Sequence, residues 1–144
     1  MIRKAEQSDA KAVAMLADQL WPDHEEGELE GEFAQLLQQE DAAVFLFEQQ
    51  GQEVGFAQCA LRRDYVEGTE SSPVGYLEGV YVQEDARHTG VARALLGACE
   101  SWAREMGCTE FASDCELDNC DSLRFHLACG FQEANRIICF TKQL

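Results

Sequence analysis

The chain has 144 residues, 46% of them hydrophobic and 26% charged, which is about one domain's worth of ordinary globular sequence and excludes disordered, collagen-like and coiled-coil classes. Its 27 Asp and Glu outweigh 11 Lys and Arg, for a formal net charge of -16. A nucleic-acid binder neutralises phosphates with Lys and Arg, so nucleic acid is excluded as a partner. A small polycation, by contrast, is drawn in by such a field.

The acidity is uneven. Between Lys11 and Arg62 there is no Lys or Arg but there are eleven acids, six of them from Asp23 to Glu32. Two readings stand: a solvated face that keeps the protein soluble, or a rim that collects cations. The seven cysteines (Cys59, Cys99, Cys108, Cys115, Cys120, Cys129, Cys139) are an odd set without a C-x-x-C pair. Met1 to Glu6 hold no apolar signal core. Both points predict reduced thiols and a cytoplasmic protein. Cys108, Cys115 and Cys120 lack the paired spacing of a structural zinc site. No metal is expected, and these thiols read as small buried hydrophobes. An apolar run such as Ala42 to Phe47 falls far short of the ~18 residues that span a bilayer, so no membrane association is expected.

In chain order, Ile2 to Glu6 reads as a short strand. Ser8 or Asp9 is a candidate N-cap for a helix carrying Val13, Leu16, Ala17 and Leu20, broken at Pro22. Leu29, Phe33, Leu36 and Leu37 recur at helical spacing and predict a second amphipathic helix. Ala42–Glu48 and Val54–Leu61 read as a hairpin turning at Gly51, and Asp64–Pro73 is a polar loop. Val74–Val82 is the next strand. It leads through the polar stretch Gln83–Gly90 into a long helix with a buried stripe of Val91, Leu95, Leu96, Cys99, Trp102, Ala103 and Met106, stopped at Gly107. Glu110–Asp114 predicts a strand, and Asn119 or Asp121 caps a short helix ending at Gly130. Phe131–Lys142 predicts one or two closing strands. With no repeat, linker or low-complexity tract, residues 1–144 read as a single mixed α/β domain.

The stretch from Tyr76 through Val82 to Ala92 carries the chemistry. A strand, a polar loop with Gly90 and a helix start make an anion site, because the unpaired N–H groups and the dipole of the first turn point at the ligand. A glycine lets a pyrophosphate approach the backbone. Taken alone, one glycine before a helix is also compatible with a plain turn.

In that strand-to-helix context, Arg87-x-x-Gly90-x-Ala92 resembles the Q/R-x-x-G-x-G/A signature of the GCN5-related N-acetyltransferases (GNAT superfamily). Asn119, Ser122, Phe125 and Gly130-Phe131 resemble the second acetyl-CoA motif of that superfamily. A narrower resemblance covers nearly the whole chain: Gln19-Leu20-Trp21-Pro22, Tyr65-Val66, Ser72-Pro73-Val74, Leu77-Glu78-Gly79-Val80, Ala112-Ser113-Asp114, His126 and Gly130-Phe131 are similar to the aminoglycoside 6'-N-acetyltransferases. The resemblance implies a mixed, mostly antiparallel sheet of six to seven strands flanked by about four helices, and a homodimer. It implies acetyl-CoA as co-substrate. Val80, Tyr81 and Val82 would give it backbone groups, Arg87, His88, Thr89, Gly90, Val91 and Ala92 would hold its pyrophosphate, and Asn119 would contact the pantetheine arm. Trp21, His24, Tyr65, Glu78 and Asp114 fall where that family lines its acceptor site. Glu133 is a further candidate, although the neighbouring Asn135 leaves that wall neutral.

Residue chemistry supports part of this independently. An alkyl ammonium with pKa near ~10.4 is only about one part in a thousand free amine at neutral pH, a deficit of ~4 to 5 kcal/mol. A carboxylate must therefore help remove a proton, and Glu78 on the strand entering the cofactor loop is placed to do so directly or through water. Asp114 would hold a second ammonium, and a backbone N–H near Val80 would serve the oxyanion. His126 would either protonate the leaving thiolate or be a structural helix histidine. Trp21 without the resemblance would read as core packing, whereas Tyr65 on a polar loop suits stacking on a sugar.

The expected reaction is direct acetyl transfer in a ternary complex, with no acyl-enzyme. Two alternatives remain open: an acetyltransferase for polyamines or another small cationic amine, and a non-catalytic acyl-CoA sensor, against which Glu78 and Asp114 argue.

Overall fold

The computed structural model describes residues 1–144. Five strands form one sheet in the order β1 (Ile2–Lys4), β2 (Ala42–Gln49), β3 (Gln52–Arg62), β4 (Val74–Val82) and β5 (Phe111–Ser113). The first three pairings are antiparallel and β4–β5 is parallel. Four α-helices flank the sheet: α1 (Ala10–Leu20), α2 (Glu28–Leu36), α3 (Val91–Glu105) and α4 (Cys120–Ala128). The expected hairpin forms, and both Gln50 and Gly51 take positive φ at its turn (51° and 77°), as a tight turn between twisted strands requires.

Alternation along the strands separates two cores. Ala57, Cys59 and Leu77 face α3 and pack with Leu95, Leu96, Cys99 and Trp102. Val44, Leu46 and Phe56 face the other way, onto Val13, Leu16, Ala17 and Phe33 of α1 and α2. Leu95 and Leu96 are 0% and 1% exposed, so truncating either to Ala costs about 2–5 kcal/mol. Gly107, at φ 91°, follows α3 as the expected left-handed stop.

The sheet is smaller than the six to seven strands expected. Phe131–Lys142 forms no strand. A strand needs a ladder partner, β5 is only three residues long, and no strand of the chain pairs with its outer edge. Ile137, Ile138 and Phe140 are left exposed. Four smaller expectations also shift. Met106, expected in the buried stripe of α3, lies exposed at its C-cap. Strand β1 stops at Lys4. Neither Ser8 nor Asp9 caps α1 with its side chain, because the Asp9 carboxylate accepts from Arg3 and from the Glu6 N–H instead. Of the three cysteines read as buried, only Cys108 is, while Cys115 and Cys120 are exposed.

Candidate active site

The geometry of β4 organises the site. Its pairing with β3 slips by one residue, from Gln58↔Gly79 to Cys59↔Leu77, so Glu78 has no partner across the ladder. This is a β-bulge, which bends a strand and re-aims its side chains. Leu77 belongs to the α3 core, so Tyr76 and Glu78 lie on the α1–α2 face by alternation. Gly79 lies there too: a Cβ on it would meet the Trp21 ring at 2.7 Å. At the same point the sheet forks. Strand β5 pairs with β4 only at Gly75↔Phe111, Tyr76↔Ala112 and Leu77↔Ser113. From Glu78 to Val82, the edge of β4 towards β5 carries no strand, which leaves the backbone of Val80, Tyr81 and Val82 open on that side.

Beyond the fork lies the expected cofactor loop. A single 3-10 turn, Glu84–Ala86, precedes Arg87. The Arg87 Nε donates to the Val82 carbonyl at 2.7 Å and its guanidinium lies 5.5 Å from the Tyr81 ring centroid, so Arg87 folds the loop back onto the strand. The Thr89 hydroxyl donates to the Ala86 carbonyl at 2.6 Å. His88 and Gly90 both take positive φ, 61° and 87°. Gly90 precedes α3 with no side-chain cap on that helix end. The first-turn N–H groups at Val91 and Ala92 therefore have no partner inside the helix. A Cβ on Gly90 would meet nothing within 4 Å, so the loop leaves open space where an anion approaches. That donor set, cationic by its dipole and open by its glycine, fits the pyrophosphate of acetyl-CoA.

The motif on α4 is placed across the fork. Asn119 caps α4, its Oδ1 accepting from the Ser122 N–H at 3.1 Å, which leaves its Nδ2 as the group free to donate. His126 sits among Phe125 and Phe131, with ring centroids 5.8 and 5.0 Å away. Its Nδ1 lies 2.7 Å from the Ser122 carbonyl oxygen and its Nε2 2.8 Å from the Ser113 hydroxyl.

On the α1–α2 face, Trp21 has a double role. Its ring packs edge-on against Phe56 at 6.2 Å, and it lines a hollow of about 310 Å³ with His24, Leu29, Glu32, Phe33, Leu36 and Gln58. His24 lies 3.5 Å from Glu28. One ligand atom each of His24, Glu28 and Glu32 falls within 4.8 Å of the others, all on exposed residues. Tyr65 is 75% exposed on its loop, and that loop is tied to β5: Glu110 accepts from the Glu70 and Ser71 N–H groups at 2.9 and 2.8 Å and from the Ser71 hydroxyl.

Two residues that sequence reasoning missed join the two acids that it found. Arg62 donates through Nε to Glu78 Oε1 at 3.0 Å and through its terminal nitrogen to Oε2 at 2.9 Å. The same guanidinium lies 3.4 Å from the Tyr76 ring centroid, and the Tyr76 hydroxyl donates to Asp114. Burial, and then the bond to Asp114, push the Tyr76 hydroxyl well above its usual range, so it stays a donor throughout the working pH range. Arg62 carried one faint signal, as the first cation after the acidic tract. Glu133 does not join this group: it is exposed and pairs with Arg136, while Asn135 donates to Glu67 at 3.0 Å.

Comparisons with known proteins agree with this fold. The acetyltransferase (GNAT) family model matches residues 13–131. An aminoglycoside N(6')-acetyltransferase type 1 of Stenotrophomonas maltophilia is 48% identical over 99% of this chain and 93% of its own length. One from Acinetobacter haemolyticus is 40% identical over 99% and 98%. Among solved structures, AAC(6')-Iy in complex with the bisubstrate analogue CoA-S-monomethyl-acetylneamine superposes with a TM-score of 0.96 at 36% identity, covering 100% of this chain and 98% of that one. The chain therefore belongs to the acetyltransferase (GNAT) family and, within it, to the aminoglycoside N(6')-acetyltransferases.

Proposed function

We propose that this chain transfers the acetyl group of acetyl-CoA to the 6'-amine of an aminoglycoside by direct attack in a ternary complex, and that its expression protects a cell from such antibiotics. The observation that carries this reading is the bulge at the mouth of the fork. It sets the Glu78 carboxylate on the α1–α2 face where the edge of β4 opens, so an amine arriving from one side can meet a thioester lying in the opening.

In this reading Glu78 accepts the amine proton, directly or through a water, and a backbone N–H near Val80 receives the oxyanion. The Arg87–Ala92 loop and the Nδ2 of Asn119 hold the coenzyme. Asp114, Trp21, Tyr65 and His24 orient the acceptor, and Glu133 contributes only if it exchanges its Arg136 partner. The departing thiolate, with a reference pKa near ~8.5, leaves without the help an amide would need. Seven free cysteines support a reducing, cytoplasmic setting.

A homodimer belongs to the same proposal. The segment 136–142 is apolar and carries Arg136 and Lys142 with no acid, against a strongly acidic body. A second copy offers it both an uncovered β5 edge and opposite charge.

The test is thiol release from acetyl-CoA with kanamycin-type, gentamicin-type and polyamine acceptors, with the acetylated position read by NMR. Modification of a polyamine alone would overturn the aminoglycoside assignment. Acetyl-CoA binding without any product would leave the sensor reading. Light scattering that finds a monomer in solution would overturn the dimer.

A further inference from the structure

Both acids expected to receive the acceptor already have partners. Glu78 has both oxygens engaged by Arg62, and Asp114 is held by Tyr76, on whose ring the Arg62 guanidinium lies. The run Asp114, Tyr76, Arg62, Glu78 is one connected group on the α1–α2 face. The Arg62 side chain is 44% exposed and that of Glu78 only 20%, so a group arriving from solvent meets the guanidinium before it meets the base.

This arrangement conflicts with the role assigned to Glu78. A general base needs a lone pair within hydrogen-bond reach of the proton it takes, and a bidentate guanidinium takes one on each oxygen and sets a positive charge where a cationic amine would arrive. Arginine does not give up its proton in proteins, so at neutral pH the carboxylate is cleared by moving the guanidinium, not by deprotonating it. A half-exposed ion pair is weak enough in net terms for that movement to happen.

Resting on the acetyltransferase reading above, we propose that Arg62 is a resident stand-in for the acceptor's ammonium group: it occupies Glu78 until an acceptor displaces it, and so raises the concentration at which any amine engages the base. Every acceptor meets this competition alike, because it lowers the fraction of the protein ready to bind. A monoamine replaces one ion pair by another and gains little. A polycation replaces the same pair and adds contacts at Asp114 and at Glu32, which lines the hollow, so it engages Glu78 at concentrations where a monoamine leaves Arg62 in place. Arg62 thus sets the acceptor KM, and the stacked Tyr76 ring sets where its guanidinium rests.

The experiment compares the parent with Arg62→Gln and Arg62→Lys, using a tetracationic aminoglycoside and benzylamine as acceptors. For Arg62→Gln, KM should fall about two- to fivefold for both acceptors, the scale of one exposed ion pair, leaving the ratio of their kcat/KM values within about twofold of the parent's. Arg62→Lys, which keeps the charge, should keep most of the parent's KM values. A loss of kcat for both acceptors with KM unchanged would show a clamp that only positions Glu78 and would overturn the proposal. A second measurement needs no variant. The side-chain Nε–H resonance of Arg62 in the parent should shift on titration with the aminoglycoside, and with benzylamine only at higher concentration, at matched ionic strength. An unmoved resonance at saturating aminoglycoside would overturn the exchange. If the parent released no thiol with any amine, the acetyltransferase reading would fail, an outcome separate from an active parent whose Arg62 never moves.

Discussion

His126 is held from both ends by Ser113 and by the backbone of its own helix: Nε2 lies 2.8 Å from the Ser113 hydroxyl and Nδ1 2.7 Å from the Ser122 carbonyl. A carbonyl oxygen only accepts, so the ring proton of the neutral imidazole sits on Nδ1. Nε2 is then the acceptor and Ser113 the donor. In that state the one ring proton is tied to the Ser122 carbonyl and not free to pass to a departing thiolate. His126→Ala should therefore lower kcat less than about threefold while lowering stability by about 1–3 kcal/mol, the cost of leaving a partly buried polar partner unsatisfied. Thermal melts set beside steady-state rates decide it. A hundredfold loss of kcat at an unchanged Tm would restore the general-acid role.

Gly90 makes a sharper test of the cofactor loop. Its φ of 87° is strained for any side chain, yet a Cβ there meets nothing within 4 Å. Gly107, at φ 91°, has the same open surroundings at the far end of α3. Both Gly90→Val and Gly107→Val should lose about 1–2 kcal/mol of stability to left-handed strain. Only Gly90→Val should weaken acetyl-CoA binding, by tenfold or more on steric grounds. Titration calorimetry of the two variants separates strain from blocked approach, and equal affinities would show that the loop does not hold the coenzyme.

The residues that could be read from sequence are those whose role is local. Gly90, Asn119 and Gly107 are set by the conformation of one turn or one helix end, and each lies where the pattern put it. The Arg62–Glu78 pair depends on register across two strands and on a one-residue slip, which period-two alternation does not encode. The missing closing strands have a similar cause. The sequence from Phe131 has strand composition, but a strand forms only against an edge, and composition does not supply the partner. Trp21 on sequence alone fits either packing or a ligand role, and it does the first while lining the hollow that suits the second.

The loop carrying Tyr65 should respond to acid through Glu110. The Ser71 hydroxyl first, then the N–H groups of Glu70 and Ser71, hold this carboxylate below its usual range. A carboxylate lowered on folding contributes stability that is complete above its unfolded value, near ~4.3, and lost as pH falls through the lower folded value. The loop should therefore stay pinned at neutral pH and loosen only below about pH 4. Glu110→Gln should loosen it already at pH 7 and raise acceptor KM about two- to fivefold, the scale of a lost hydrogen-bond set, with KM for acetyl-CoA unchanged. A parallel rise in both KM values would mean that Glu110 supports the sheet rather than the loop.

The acidic rim has two parts with different expected behaviour. Glu28 accepts from the Glu25 N–H at 3.0 Å and faces His24, and Glu32 lines the hollow, so changing either alters local structure as well as charge. Glu25, Glu26 and Glu30 are exposed and make no side-chain bond, so the triple change of these three to Gln tests charge alone. If the rim collects polycations, apparent acceptor affinity in the parent should fall as salt rises past physiological strength, where the Debye length is ~8 Å. The triple variant should flatten that slope, more for a tetracationic aminoglycoside than for a monoamine, and leave the limiting rate intact because none of the three reaches Glu78. Acetyl-CoA, itself an anion, should not share the loss. A triple variant with the parent's salt slope for both acceptors would make the rim a solubilising face and leave selection of the acceptor to the group around Arg62.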